Sequence, residues 1–188
     1  AFATAGVDAP RLFAAIAEFA LPRLRAFNAQ ELSNTAWAFS TAGVKAPSLF
    51  GAIAEEALFR LDDFYSQHLA NTVWAFAKAG VKAPRLFAAI ARAAPSRVRY
   101  FNAQELASTA WAFATAGVDG PHQLYDAVAE AAQPRLGEFN ARELANVAWA
   151  FAKAGVDAPG LFLAIAEAVP PRLREFNAQD FANTAWAF

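Results

Sequence analysis

Residues 143–156 read Glu-Leu-Ala-Asn-Val-Ala-Trp-Ala-Phe-Ala-Lys-Ala-Gly-Val, and close variants of this stretch recur along the whole chain. The tryptophans follow one another at a spacing of 37 or 38 residues, at Trp37, Trp74, Trp111, Trp149 and Trp186. The single spacing of 38 comes from one extra residue at His122–Gln123. Because a fixed period of 20–50 residues marks a repeat architecture, the sequence predicts an array of one unit.

The first half of each unit is predicted to be a helix, called helix A. Asn28 and Glu31 have the spacing of a capping box, in which each residue satisfies a backbone N–H near the other. The same spacing recurs at Asn102 and Glu105, Asn140 and Glu143, and Asn177 and Asp180, whereas the second unit has Tyr65 and His68. Helix A is expected to end near Ala42, with Gly43 free to adopt the left-handed conformation that closes a helix.

The second half of each unit is predicted to be helix B. Pro47 suits its first turn, and a helical stripe of apolar residues follows at Leu49, Phe50, Ile53, Ala54 and Ala57. Prolines are expected to kink or end helix B in four units, at Pro22, Pro95, Pro134 and Pro171, and Phe59 takes this place in the other.

Two amphipathic helices per unit can bury their apolar faces only by stacking on neighbouring units. We therefore expect an all-α fold, an α-solenoid of helix-turn-helix repeats of 37–38 residues arranged as a right-handed superhelical array. The units are approximately 1–27 (partial), 28–64, 65–101, 102–139, 140–176 and 177–188 (partial). The chain opens and stops within helices, so we expect a single array that is a fragment of a longer solenoid.

The composition excludes several classes of protein. Hydrophobic residues make up 57% of the 188 residues and charged residues 18%, which excludes a disordered chain. No uncharged apolar run reaches the roughly 18 residues that a membrane span needs. There is no Cys, and the formal net charge is −1, so the strongly basic balance typical of many nucleic-acid binders is missing.

Helical geometry divides helix A into two faces. At about 100° per residue, Leu32, Ala36, Phe39 and Ser40 face helix B and the next unit, and a polar face lies opposite. Its candidate base-reading residues are Gln30, Asn34, Gln67, Asn71, Lys78, Gln104, Ser108, Arg142, Asn146, Lys153, Gln179 and Asn183. Thr4, Thr41 and Thr115 occupy the same column as the two lysines.

The asparagine column is the most informative part of this face, because Asn is unfavourable within a helix. One interpretation is that the amides bind base edges, one unit per nucleotide, as helical-repeat RNA binders do. The other is an internal ladder of amides that ties neighbouring repeats together. Both stay open at this point.

Two further columns in helix A are assigned to packing. Thr35, Thr72, Thr109, Val147 and Thr184 exchange Thr with Val, so shape matters more there than the hydroxyl. The tryptophan column is assigned mainly to the core, with a role in stacking on bases left open. The phenylalanines two residues further on are assigned to the core outright.

Arginines recur just after helix B in two columns. Arg23, Arg60, Arg97, Arg135 and Arg172 are interpreted mainly as structural, bonding the last carbonyls of helix B. Arg25, Arg99 and Arg174 are the candidate phosphate contacts, and this second column is interrupted by Asp62 and Gly137.

No enzyme is expected, and neither a cofactor nor a metal. The two histidines do not occupy matching positions and form no constellation with carboxylates at ligand spacing. His68 is expected to be a solvated residue in the first turn of a helix, and His122 to lie in a loop.

The unit resembles the octotricopeptide repeat. The resemblance rests on residues 143–156, the following Ala158-Pro159 and the closing Pro171-Arg172-Leu173, and it extends over all five units. The unit is also similar to the helical repeats that precede RAP domains in FAST-kinase-like proteins. The resemblance implies sequence-selective binding of single-stranded RNA in a chloroplast or mitochondrion, in transcript stability, splicing, translation or RNA processing, without catalysis by the repeats.

Two classes of function therefore remain. The first is a modular reader of single-stranded RNA, with helix A side chains on the bases and arginines on the phosphates. The alternative is a protein–protein interaction scaffold, which the near-neutral charge and the Ala-rich faces favour. Neither hypothesis requires a membrane or a small-molecule substrate.

Overall fold

The computed structural model describes residues 9–118 and 122–188. Within these ranges the regular structure is helical and no strand occurs. The α-helices are α1 (Pro10–Ala20), α2 (Ala29–Thr41), α3 (Pro47–Phe59), α4 (Ser66–Ala79), α5 (Pro84–Ala93), α6 (Ala103–Ala116), α7 (His122–Ala132), α8 (Ala141–Ala154), α9 (Pro159–Ala168) and α10 (Ala178–Ala187).

The helices alternate in the predicted order. Helix A of successive repeats is α2, α4, α6, α8 and α10, and the odd-numbered helices are helix B. The chain forms two compact units, Ala1–Ile90 and Ala91–Phe188, with the boundary in the last turn of α5. In the first unit α2 packs against α4, and in the second α8 packs against both α6 and α10. The all-α fold of consecutive helix pairs is confirmed.

Each unit is built on rows of phenylalanines at fixed positions. Phe39, Phe76, Phe113 and Phe151 of helix A are all 1% exposed or less, as predicted. Their rings meet helix B aromatics edge to face: the centroids of Phe50 and Phe76 are 5.0 Å apart, and those of Tyr125 and Phe151 are also 5.0 Å apart. Such pairs contribute about 0.5–1.5 kcal/mol beyond the area they bury.

The ends of helix A form as the sequence predicts. The side chains of Asn28, Asn102, Asn140 and Asn177 all accept a hydrogen bond from the backbone of the third helical residue, completing capping boxes. At the other end Gly43, Gly80, Gly117 and Gly155 have φ between 61° and 68°. In this left-handed conformation Val44 N donates to Phe39 O at 3.1 Å and closes α2.

The second repeat caps helix A with a histidine. The backbone N–H of Tyr65 donates to His68 Nδ1 at 3.3 Å, so the imidazole replaces the usual carboxylate. The ring is half-buried and lies edge-on to Phe64, with centroids 6.1 Å apart. The expectation that His68 is solvated is therefore wrong. His122 is exposed but begins α7, so the loop expected there is wrong too.

Helix B passes into a 3-10 segment before the next helix A. The longer segments are Leu21–Ala26, Gln133–Glu138 and Pro170–Glu175, and shorter ones span Leu61–Asp63 and Val98–Tyr100. Pro22, Pro134 and Pro171 lie near the starts of the longer segments, which supports the prediction that proline ends helix B. The sequence did not predict the 3-10 turns themselves.

Arginines in these segments act structurally, with the predicted partner at Arg23 and a different partner at Arg135. Arg23 Nη1 donates to Phe19 O, near the end of its own helix B, at 2.5 Å, as predicted. Arg135 Nη1 instead donates to Phe101 O at 3.0 Å, in the linker of the preceding repeat. Arg135 and Arg172 also bind the carboxylate three residues later, Glu138 and Glu175 respectively, at 2.9 Å.

Candidate nucleic-acid interface

The structure places all twelve candidate base-reading residues at the surface. The glutamines, Arg142, Asn34 and both lysines are exposed, and Asn71, Ser108, Asn146 and Asn183 are half-buried. They form two strips, one in each compact unit. The first polar strip is Gln30, Asn34 and Trp37 of α2 with Gln67, Asn71, Trp74 and Lys78 of α4. The second polar strip is Gln104, Ser108 and Trp111 of α6, Arg142, Asn146, Trp149 and Lys153 of α8, and Gln179, Asn183 and Trp186 of α10.

The tryptophans belong to these strips. Trp37, Trp74, Trp111 and Trp149 are half-buried, and Trp186 is 58% exposed. Assigning this column to the core is therefore wrong. The position lies at the edge of the helix face that contacts the neighbouring helix A, so the indoles of the first four repeats are only partly covered.

In the first polar strip the indoles stack on each other. The ring centroids of Trp37 and Trp74 are 6.4 Å apart, with 25° between the planes. Lys78 Nζ lies 4.6 Å from the centroid of the Trp74 ring, which is cation–π geometry. Aromatic faces and a positive charge therefore adjoin one another beside the amides of α2 and α4.

The second polar strip repeats this arrangement in a more open form. The ring centroids of Trp149 and Trp186 are 6.2 Å apart, with 41° between the planes. Lys153 is exposed four residues after Trp149, at the position equivalent to Lys78. Both units thus offer indole pairs with a lysine one helical turn beyond.

The asparagine amides do not tie neighbouring repeats together. Within the described parts of the chain the side chains of Asn34, Asn71 and Asn146 form no hydrogen bond, and Asn183 Oδ1 accepts one from Gln179 Nε2 of its own helix at 2.7 Å. This result speaks against the internal ladder. The amides of Asn34, Asn71 and Asn146 therefore keep their donors and acceptors for solvent or a ligand.

The threonine column is packing, as predicted. Thr72, Thr109 and Val147 are at most 1% exposed, and the hydroxyls of Thr72 and Thr109 have no hydrogen-bond partner. Thr35 is half-buried instead, and its hydroxyl donates to Glu31 O at 2.7 Å. Thr4 of the neighbouring column lies outside the described residues.

The three candidate phosphate contacts are exposed, each in a different setting. The Arg25 side chain is 94% exposed, lies 3.6 Å from a Glu56 oxygen, and lines an open cavity of about 850 Å³ together with Asn34. The Arg99 guanidinium lies 4.8 Å from the centroid of the Tyr100 ring. Arg174 is exposed in the last 3-10 segment.

A polar cavity in the second unit was not predicted from the sequence. It has a volume of about 310 Å³ and lies between the N-terminal turns of α8 and α10, lined by Asn140, Ala141, Arg142, Glu175, Asn177 and Asp180. Arg142 and Glu175 face it with opposite charge, and no ion pair joins them. The sequence did contain an indication of this cavity. Two residues before the cap of helix A, glutamate occurs only in the last two linkers, at Glu138 and Glu175.

Glu175 is held in its ionised form. Arg172 donates to its carboxylate at 2.9 Å, and this hydrogen bond lowers the pKa of Glu175 below its ordinary value. Arg135 lowers the pKa of Glu138 in the same way. A carboxylate bonded by one arginine keeps acceptor capacity for a further ligand.

Neither a membrane span nor a metal-binding group of side chains occurs in the described residues. No helix there is long and apolar enough to cross a membrane. No group of three or more His, Asp or Glu side chains in residues 9–118 and 122–188 could hold a metal ion.

The comparisons with known proteins identify a family. The model of the RNA-editing substrate-binding complex 6 protein family (RESC6) matches residues 1–188. The chain therefore belongs to this family, which is RNA-associated. None of the curated proteins matches the chain. The narrower resemblance to the octotricopeptide repeat and to repeats preceding RAP domains stays a prediction.

Proposed function

We propose that this member of the RNA-editing substrate-binding complex 6 family binds single-stranded RNA through its two polar strips and selects the sequence that it binds. The bases contact the indoles and amides of helix A, and Arg25, Arg99 and Arg174 contact phosphates. The chain acts as a binding protein and performs no catalysis itself. The family description, which names a complex and its RNA substrate, supports RNA and protein partners for the chain.

The observation that carries the proposal is the Trp37–Trp74 stack with Lys78 against it. Base–aromatic stacking contributes about 1–3 kcal/mol per base and suits single strands, whose bases are free to leave their own stacks. The adjacent unpartnered amides of Asn34 and Asn71 supply hydrogen bonds that distinguish bases. Together they form a surface that favours unpaired bases over a duplex.

The near-neutral net charge is consistent with binding that depends on stacking and a few arginines. A chain with net charge −1 gains little from long-range attraction to RNA. Affinity then depends on stacking and on a few local arginines, and base identity contributes a larger share than in a strongly basic protein. The proposed compartment is a mitochondrion, because RNA-editing complexes are mitochondrial. Nothing in the comparisons favours a chloroplast.

Substitution of one indole tests the proposal. In a fluorescence anisotropy titration with a 12-nucleotide random RNA pool, we expect Trp74→Ala to weaken binding by about 1–3 kcal/mol and Trp74→Phe by less. Phe59→Ala is the matched control, since Phe59 is an aromatic residue of the same unit, 82% exposed and outside the strips. Equal affinity for the wild type, Trp74→Ala and Phe59→Ala would refute the role of the strip.

Exposed aromatics elsewhere favour a second function, the protein-interaction scaffold. Phe59 at the end of α3 is 82% exposed, at a position where three other repeats carry proline. Tyr65 before α4 is 76% exposed, at a position where the other repeats carry asparagine. Exposed aromatic side chains are typical anchors of protein interfaces. If this function is the main one, Phe59→Ala abolishes binding to a protein component of the complex while Trp74→Ala leaves it unchanged.

A further inference from the structure

The cavity lined by Arg142 and Glu175 has the chemistry of a base pocket, and the inference drawn from it rests on the RNA binding proposed above. Its volume of about 310 Å³ lies at the lower end of clefts that hold small ligands, roughly 300 Å³. Arg142 is the second residue of α8 and stands in the glutamine column of the polar strip. The cavity is therefore continuous with the surface on which the RNA is proposed to lie.

Arg142 and Glu175 line this cavity with opposite charges that do not neutralise each other, whereas Asp180 in the same lining accepts the cap bond from Asn177 N. Arg142 forms no ion pair or hydrogen bond among the described residues, although Glu175 lines the same cavity. Arg172 uses Glu175 only in part, through one bond of 2.9 Å and a longer one of 3.5 Å. The cavity thus offers a fork of N–H donors on one side and carboxylate acceptors on the other.

Among the RNA bases guanine matches this pair of groups best. Its O6 and N7 are two adjacent acceptors, which arginine binds through two parallel hydrogen bonds. Its N1–H and N2–H₂ are adjacent donors on another edge, which suit a carboxylate. Adenine presents a donor beside N7 and would oppose the guanidinium, and cytosine and uracil lack two adjacent donors.

We propose that the Arg142–Glu175 cavity binds a guanine base of single-stranded RNA and makes this repeat selective for guanine. Arg142 donates to O6 and N7, and Glu175 accepts from N1–H and N2–H₂. Arg172 acts as a positioning residue, since it orients the Glu175 carboxylate. The repeat before it carries Glu138 at the glutamate position but Gln104 in place of arginine, so it lacks this selectivity.

The test compares two 12-nucleotide RNA pools, one with A, C or U at every position and one with a single guanine at position 6. The RNA can shift along the protein, so the register need not be known. For the wild type we expect the guanine pool to bind about 5- to 150-fold more tightly, the range for one good bidentate contact to a base. Arg142→Gln and Arg142→Lys should remove this ratio, because neither side chain has the planar fork of donors.

A gain-of-function variant distinguishes loss of the guanine contact from general damage to the protein. Gln104→Arg places arginine at the position equivalent to Arg142 in the repeat that carries Glu138. We expect this variant to bind a pool with two guanines more tightly than a pool with one, whereas the wild type gains only the statistical advantage of a second register. Free guanosine monophosphate should compete only at much higher concentration, and equal competition would mean a nucleotide site instead.

Failure of this inference can be told apart from failure of RNA binding. Equal affinity of the wild type for both 12-nucleotide pools overturns the guanine site and leaves RNA binding in place. Retention of the ratio in Arg142→Lys would show that the planar fork of Arg142 does not select guanine, and it also overturns the guanine site. If neither pool binds, the proposed function and the guanine site fall together.

Discussion

Arg172 reaches back 33 residues to bond the backbone carbonyl of Phe139, with Nη1 and O 2.6 Å apart. Arg135 does the same at Phe101, one repeat earlier. Glu175 and Glu138 hold the other side of each guanidinium. In the last two of these linkers, an arginine thus joins its own linker to the linker before it.

Loss of this bond should destabilise the second unit. Arg135→Ala leaves the Phe101 carbonyl without its charged donor, and hydrogen bonds to charged groups contribute about 1.5–3 kcal/mol. Since Arg135 is partly exposed, we expect a loss of about 1–2 kcal/mol in urea denaturation. Arg174→Ala, an exposed arginine two residues after Arg172, is the control and should change stability by less than about 0.5 kcal/mol. Equal losses for the two variants would show that the carbonyl bond contributes nothing.

Replacing Thr72, whose buried hydroxyl has no hydrogen-bond partner, should increase stability. A buried polar group without a hydrogen bond costs about 1–3 kcal/mol, and the equivalent residue in another repeat is Val147. We expect Thr72→Val to raise the free energy of unfolding by roughly 1 kcal/mol without changing RNA affinity. Thr35→Val should gain nothing, because its hydroxyl is bonded to Glu31 O. A less stable Thr72→Val chain would contradict the packing role.

His68 should make stability depend on pH. Burial lowers the pKa of its imidazole below the ordinary 6.5, and Nδ1 accepts a hydrogen bond only when it is unprotonated. The unfolded chain therefore binds more protons at this residue than the folded chain between the two pKa values. We expect stability to be fully present above pH 6.5 and to fall as the pH decreases through 6.5 towards the pKa of the folded chain.

A matched variant isolates this histidine. His68→Gln keeps an acceptor at the third helical position but does not titrate, so the difference in stability between wild type and variant should change between pH 7.5 and pH 5.5. Thermal unfolding at both values measures it. A difference that stays constant with pH would show that the cap is insensitive to protonation.

The salt dependence of RNA binding should show whether Arg25, Arg99 and Arg174 contact phosphates. Each phosphate contact on a single strand contributes about −0.7 to the slope of log K against log salt. We expect the triple alanine variant to flatten this slope by about 2. Arg11→Ala, Arg85→Ala and Arg92→Ala combined form the control, since these exposed arginines lie on helix B. An unchanged slope in the first variant would remove the three arginines from the interface.

Sequence patterns predicted the helices well because their signals are local. Asn28 and Glu31 are three residues apart, and the conformation of Gly43 is a property of glycine itself. The tryptophans were misplaced because burial at a helix edge depends on the distance to the neighbouring helix A, which periodicity does not encode. Periodicity also did not predict the arginine bonds to Phe101 and Phe139 or the cavity between Arg142 and Glu175. Each of these brings together residues more than 30 positions apart.

Selection from a random single-stranded RNA pool at physiological salt tests the central claim most directly, with a single-stranded DNA pool of the same design as control. The polar strips predict an enriched RNA motif of about four to five nucleotides, roughly one per repeat, because helical-repeat readers bind one base per unit. Ser108→Asn should then change the preference at one position of that motif only. Absence of enrichment over DNA, from a chain shown to be folded and monomeric, would contradict RNA reading by helix A and favour the protein scaffold.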